Sequence, residues 1–216
     1  MPIPSQPFHA PKLSAKDRVY QTLLEWIVDG TLQPGEKISD TEIAAYFSFS
    51  RTPVREALQL LADQRLIDIV PGRESRVSPI DPRQVKSNYL LMGKLNAVAL
   101  ELGQDRLDGG ALSRLAQIDQ EMREALRRGD YPGVRRLDRA FHFVFFDLAD
   151  NYFLLNTAQN LYTHCLRIEN LYFSQENDFS ASLVLHGEIL CALREGRYEQ
   201  AGRLLTQNWT DTVRDM

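Results

Sequence analysis

Apolar residues along this chain fall into two regimes: a short stretch that mixes helical and strand-like spacing, and a long one in which only helical spacing occurs. Between Ser14 and Gly30, the residues Val19, Leu23, Leu24 and Ile27 recur at the 3.6-residue period, with Ser14 placed to cap the start and Gly30 to end it. Pro34-Gly35-Glu36 interrupts the pattern. Ser39-Asp40-Thr41-Glu42 then opens a shorter helix with the S-x-x-E spacing of a capping box. A tight connection over Tyr46 to Phe49 leads into Ser50-Arg51-Thr52-Pro53-Val54-Arg55-Glu56-Ala57-Leu58. Ser50 is expected to cap this third helix, and Pro53 falls in its first turn, where a missing N–H removes no bond. Two β-prone runs follow, Ile67 to Val70 and Ser75 to Pro79, around Pro71-Gly72-Arg73-Glu74, which is a hairpin signal.

Pro79 and Pro82 mark a domain boundary, and beyond them the pattern predicts helices over 83–103, 111–128, 132–149, 152–174, 180–195 and 198–213. Six helices with short connections imply a bundle. The expected fold class is therefore mainly α: an N-terminal winged helix-turn-helix over 14–80, then an all-α antiparallel helical bundle over 81–216. Residues 1–13, with Pro2, Pro4, Pro7 and Pro11, read as a flexible tail.

The third helix carries the first candidate chemistry. Val54, Leu58 and Leu61 share an inward stripe, while Arg51 and Arg55, four apart, point together to the other side. Such a helix suits a DNA major groove, and a wing bearing Arg73 and Arg76 suits phosphates or a minor groove. Charge adds little, since residues 1–80 hold nine Lys and Arg against ten Asp and Glu, and the whole chain is −4. DNA affinity is then expected from a few focused arginines rather than a broad basic field.

The second candidate lies in the bundle. The helix over 132–149 places Asp138 and His142, four apart, on the apolar stripe of Val134, Leu137, Phe141, Phe145 and Leu148. His186 interrupts the stripe of Leu183, Ile189, Leu190 and Leu193, and Asn208 that of Ala201, Leu204, Leu205 and Val213. Buried polar groups need partners, and inward polar groups from three helices are how bundles build metal or ligand sites. Read one residue at a time, each of these is more often a satisfied core polar group than a ligand; it is their convergence that points to a site.

Composition removes other classes. At 216 residues and 44% hydrophobic, the chain suits two globular domains, and it has no apolar run of about 20 residues to span a membrane. No signal-peptide core is present, and Cys165 and Cys191 form no C-x-x-C pair, so a reducing cytoplasm is expected. No H-E-x-x-H, glycine-rich phosphate loop or second catalytic carboxylate supports a metal-dependent enzyme. A winged-helix protein-interaction scaffold is the other alternative, which direct DNA binding that depends on Arg51 and Arg55 would exclude.

Residues 14–80, through SRTPVREAL at 50–58, resemble the N-terminal domain of GntR-type bacterial transcription regulators. The resemblance implies operator contacts from Ser50, Arg51, Thr52 and Arg55, with Gly72 and Arg73 in the wing. Thr41 stands where some relatives carry a further DNA-contacting arginine, and Glu74 where a small wing residue is common. Residues 83–213 resemble the FadR-type C-terminal ligand-sensing domain in its shorter, VanR-like six-helix form. That resemblance implies a divalent metal, zinc or nickel, on Asp138, His142 and His186. Asn208 stands at the fourth ligand position, where the family usually has His. Relatives also often carry an inward Arg and Glu on the first helix of this domain, where Met92 and Asn96 stand here. Arg167 and Asn208 are then the expected effector contacts. Together these features imply a ligand-responsive, homodimeric transcription regulator, a repressor released from a palindromic operator by a small metabolite.

Overall fold

The structure, a computed structural model, describes residues 13–69, 75–172 and 179–214. The chain divides into two compact units that meet between Ile80 and Asp81.

The first unit begins with α1 (Ala15–Asp29), whose Ser14 and Asp17 form a reciprocal capping box, and whose Val19, Leu23 and Ile27 are buried. A two-stranded expectation becomes a three-stranded sheet: β1 (Lys37–Ile38), β2 (Ile67–Asp68) and β3 (Ser75–Val77), in the order β1-β3-β2 with both pairings antiparallel. β1 escaped the sequence pattern because two residues beside a turn show no period. Between them run α2 (Asp40–Phe47) and α3 (Arg51–Asp63). Ser39 caps α2 through the Glu42 N–H at 3.3 Å. Tyr46 and Phe47 belong to α2, so the turn of the motif is only Ser48 to Ser50, with Ser48 left-handed at φ 56°. Ser50 occupies the N-cap of α3 in extended backbone, but its side chain makes no cap hydrogen bond, contrary to expectation. Val54, Ala57, Leu58 and Leu61 bury one face of α3 against α1, together with Leu66, Ile67 and Val77. The tail over 1–12 and the hairpin tip, with Gly72 and Arg73, lie outside the described residues.

The second unit contains six α-helices among the described residues: α4 (Pro82–Gly103), α5 (Gly109–Arg127), α6 (Tyr131–Ala149), α7 (Tyr152–Tyr172), α8 (Ser180–Arg194) and α9 (Tyr198–Asp211). The helix expected to 174 is described only to Tyr172. Aspartates set several starts: Asp81, Asp108 and Asp130 each accept a backbone N–H at a helix N-terminus. α4 packs against α6, α7 and α9, while α5 packs against α6 and α8. Gly93 lets α4 approach α9 closely, since a Cβ there would sit 2.8 Å from the Thr206 Cα.

Candidate functional site

Two constellations emerge, one in each unit. On the first, Arg51 opens α3 and Arg55 follows one turn later, with 54% and 63% of their side-chain surfaces exposed. Neither projects alone. Both converge on Asp40, the first residue of α2: Arg51 Nη2 donates to its carboxylate oxygens at 3.0 and 2.9 Å, and Arg55 Nε donates at 2.7 Å. The Arg55 hydrogen bond, followed by those of Arg51, holds the Asp40 carboxyl below its ordinary range.

In the second unit α6, α8 and α9 bring His142, His186 and Asn208 together as buried groups. His142 Nε2 lies 3.0 Å from Asn208 Oδ1 and 3.4 Å from His186 Nε2, which is 3.5 Å from Asp138 Oδ1. Asp138, His142 and His186 each place one ligand atom within 4.8 Å of the others. Asp138 is not fully buried as its stripe suggested, because 23% of its side-chain surface opens toward a cavity. Burial still pushes its pKa up to about 7, against a hydrogen bond from Ser182 Oγ at 3.2 Å.

The orientation of His142 is over-determined. Its Nδ1 faces Asn96 Oδ1 at 3.2 Å, and the Asn96 amide is turned that way by donating to the Met92 carbonyl at 3.2 Å. Asn208 Nδ2 donates to Ser182 Oγ at 3.0 Å, which turns its oxygen toward Nε2. A neutral imidazole carries one N–H, so it can satisfy only one of these two oxygens. Burial lowers the His142 pKa to about 4, so protonation does not resolve the conflict near neutrality. With Nδ1–H given to Asn96, the Nε2 lone pair faces Asn208 oxygen and His186 nitrogen, an arrangement that a cation satisfies. His186 stacks on Phe141 at 3.9 Å, and burial, followed by repulsion from His142 and Arg123, lowers its pKa well below the ordinary imidazole value. Its Nδ1 has no hydrogen-bond partner among the described residues and lies 3.8 Å from Asp119 Oδ1, an acid held by Arg123 at 2.9 Å.

Residues 15–77 match the description "Bacterial regulatory proteins, gntR family", and residues 89–210 match the "FCD domain". The chain belongs to the GntR family. Among curated relatives of this GntR protein, the Escherichia coli K12 HTH-type transcriptional repressor RspR is 27% identical over 198 residues, covering 92% of this chain and 87% of that protein. The Bacillus subtilis HTH-type regulator YdhC is 30% identical over 154 residues, covering 70% of this chain and 69% of its own. Among solved structures, E. coli McbR/YncC superposes with a TM-score of 0.75 at 20% identity, over 94% of this chain and 96% of its own. A GntR regulator from Rhodococcus sp. RHA1 reaches 0.72 at 26% identity, over 91% and 94%. The GntR chain is thus a DNA-binding transcription regulator with a helical ligand-sensing domain. Among the described residues no helix is long and apolar enough to cross a membrane.

The GntR chain's sensor unit holds a cavity of about 280 Å³. Asp138, Ser182 and Asn208 border it on the side of the histidines, and Tyr162, Trp209 and Glu169 form further walls. Trp209 Nε1 is buried without a hydrogen-bond partner among the described residues. Arg135 is the arginine in the wall; Arg167 is buried on α7 but is not among the lining residues. Asp119 escaped sequence reasoning, and so did the pairing with His142 of Asn96, which the sequence marks only as standing where relatives carry an inward Glu. Each sits among apolar neighbours as a polar residue, and only the packing of α4 and α5 against α6 and α8 shows which histidine it meets.

Proposed function

We propose that this GntR-family protein is a cytoplasmic, homodimeric repressor that leaves a palindromic operator when a small metabolite enters the sensor cavity beside a divalent metal. Asp138, His142 and His186 would hold zinc or nickel, with Asn208 as a neutral oxygen donor at the fourth position. The carrying observation is spacing. Tetrahedral zinc with ligands at 2.0–2.1 Å needs ligand atoms about 3.4 Å apart, and the cluster offers 3.0, 3.4 and 3.5 Å. Asn96 supplies the outer partner that orients the His142 imidazole, while Asp119 stands 3.8 Å from His186 Nδ1 without a hydrogen bond to it. Bound there, the metal supplies a Lewis-acidic point for an effector oxygen. Asn208, Arg135 and Trp209 line the cavity and would share that effector, whereas Arg167, expected from the sequence to do so, does not line it.

At the DNA, Ser50, Arg51, Thr52 and Arg55 contact the operator in the major groove, and Gly72 and Arg73 serve the wing. No catalytic step forms part of this reading. Dimerisation is supported by α4, where Leu91, Leu95, Val98 and Leu102 recur at helical spacing, and Leu91, Val98 and Leu102 expose 48%, 42% and 51% of their surface.

Metal-stripped protein titrated with zinc or nickel should gain melting temperature by mass action. Asp138→Ala should lose that gain, and Asn208→His, which completes a four-ligand set with imidazole, should enlarge it. Wild type and Asn208→His that both hold no metal by elemental analysis would remove the ion and leave an effector bound by the cavity directly.

A further inference from the structure

Asp40 stands under both of the arginines that α3 turns outward, and the way it holds them differs. Arg51 is engaged along its flank, with Nε at 3.3 Å and Nη2 at 2.9 and 3.0 Å. Arg55 is engaged through Nε alone, at 2.7 Å. Its Nη fork, the part of a guanidinium that pairs with O6 and N7 of guanine, makes no hydrogen bond to the acid. The carboxylate is the inner partner, with 22% of its side-chain surface exposed against 54% and 63% for the arginines.

We propose that Asp40 is a specificity-determining residue: it positions Arg55, with Arg51 beside it, for bidentate contact with guanine, and makes the same pair a poor clamp for phosphate. Stability is a weak reason for the arrangement, because exposed ion pairs contribute little to it. Its effect on recognition is larger. Arginine loses much rotamer freedom when it binds a base edge, and a carboxylate that fixes the guanidinium plane removes that loss in advance. Phosphates surround every sequence and carry no information, so the attraction of two free arginines to them is indiscriminate. A negative charge between the two cancels part of that attraction. The unit as a whole follows the same logic, with ten acidic against nine basic residues over 1–80. The inference rests on the reading of α3 as the DNA-reading helix.

A purely structural role for Asp40 is also defined: an acid in the first turn of α2 favours the helix dipole. That role moves melting temperature and leaves sequence discrimination alone. The two separate in a DNA-binding comparison on the full chain. The probes are a duplex enriched by the wild type from a random-sequence library and an unselected duplex of equal length. For Asp40→Asn, affinity for the enriched duplex should fall and affinity for the unselected one should rise, with the ratio falling roughly 10-fold and the salt dependence on the unselected duplex steepening. Asp40→Glu, which keeps the charge, should recover most of the ratio. An unchanged or increased ratio in Asp40→Asn overturns the inference, whatever the melting temperature does. Arg51→Ala and Arg55→Ala tell the two failures apart. If both still bind the enriched duplex as wild type does, the assignment of α3 has failed and the inference with it. If each loses roughly 10-fold or more while Asp40→Asn keeps the ratio, only the role of Asp40 falls.

Discussion

Glu169 illustrates at the residue scale how the sensor cavity stores unfavourable charge. Burial pushes its pKa up from 4.5 to about 7, with Asp138 adding repulsion, while Tyr89 Oη donates to its Oε1 at 3.0 Å and Arg135 lies near enough to oppose the rise. The folded state therefore binds the proton more tightly than the unfolded chain does. Stability is then fullest below the unfolded pKa and is lost as pH climbs through the folded value near 7. Glu169→Gln removes the charge and keeps an acceptor for Tyr89. Thermal unfolding should show the variant more stable than wild type at pH 8, by at most about 3 kcal/mol, and indistinguishable from it near pH 4. A difference that is flat across that range would show that burial of this carboxylate carries no penalty.

Helices in the sensor unit are cut by short polar residues and joined by close approach. Asp150 takes a left-handed conformation at φ 48° to end α6, and Asn151 Oδ1 accepts the Leu154 N–H at 3.0 Å to start α7. Between α4 and α9 the decisive residue is Gly93. A methyl group there meets the Thr206 Cα at 2.8 Å and its carbonyl oxygen at 2.9 Å, and backbone atoms of a packed helix do not move aside cheaply. α9 carries Asn208 and Trp209, so this contact also sets one wall of the cavity. Gly93→Ala should lower stability by roughly 1–3 kcal/mol, the usual cost of overpacking, and should weaken zinc uptake by shifting Asn208. Denaturant unfolding with wild-type stability would show that the helices can separate without cost.

For the whole molecule the proposed twofold pairing decides how modest arginine chemistry becomes operator affinity. Two linked reading heads on adjacent half-sites multiply affinity through effective concentration. The apolar stripe on α4 is the surface proposed to pair. Leu91→Glu combined with Val98→Glu should convert a sedimenting dimer to monomer at micromolar concentration and greatly weaken binding to a two-half-site duplex, with circular dichroism unchanged. A double variant that still sediments as the dimer would place the interface elsewhere.

What the sequence alone determined is what depends on local period and end chemistry. Val19, Leu23 and Ile27 on α1, or Leu183, Ile189 and Leu193 on α8, declare their buried face because helical spacing alone puts them on one side. The same spacing marked His142, His186 and Asn208 as inward polar residues, since each interrupts an apolar stripe. β1 was not legible, because a two-residue strand acquires meaning only from its partner β3. Nor was the sharing of Asp40 by Arg51 and Arg55, which lie 11 and 15 residues further along and meet it only once α2 and α3 pack. The same holds for Asn96 against His142, Asp119 beside His186, and Arg135 rather than Arg167 in the cavity wall. Period states which way a side chain points relative to its own helix; which residue waits there is decided by how neighbouring helices cross, and that information is not local to any stretch of the chain.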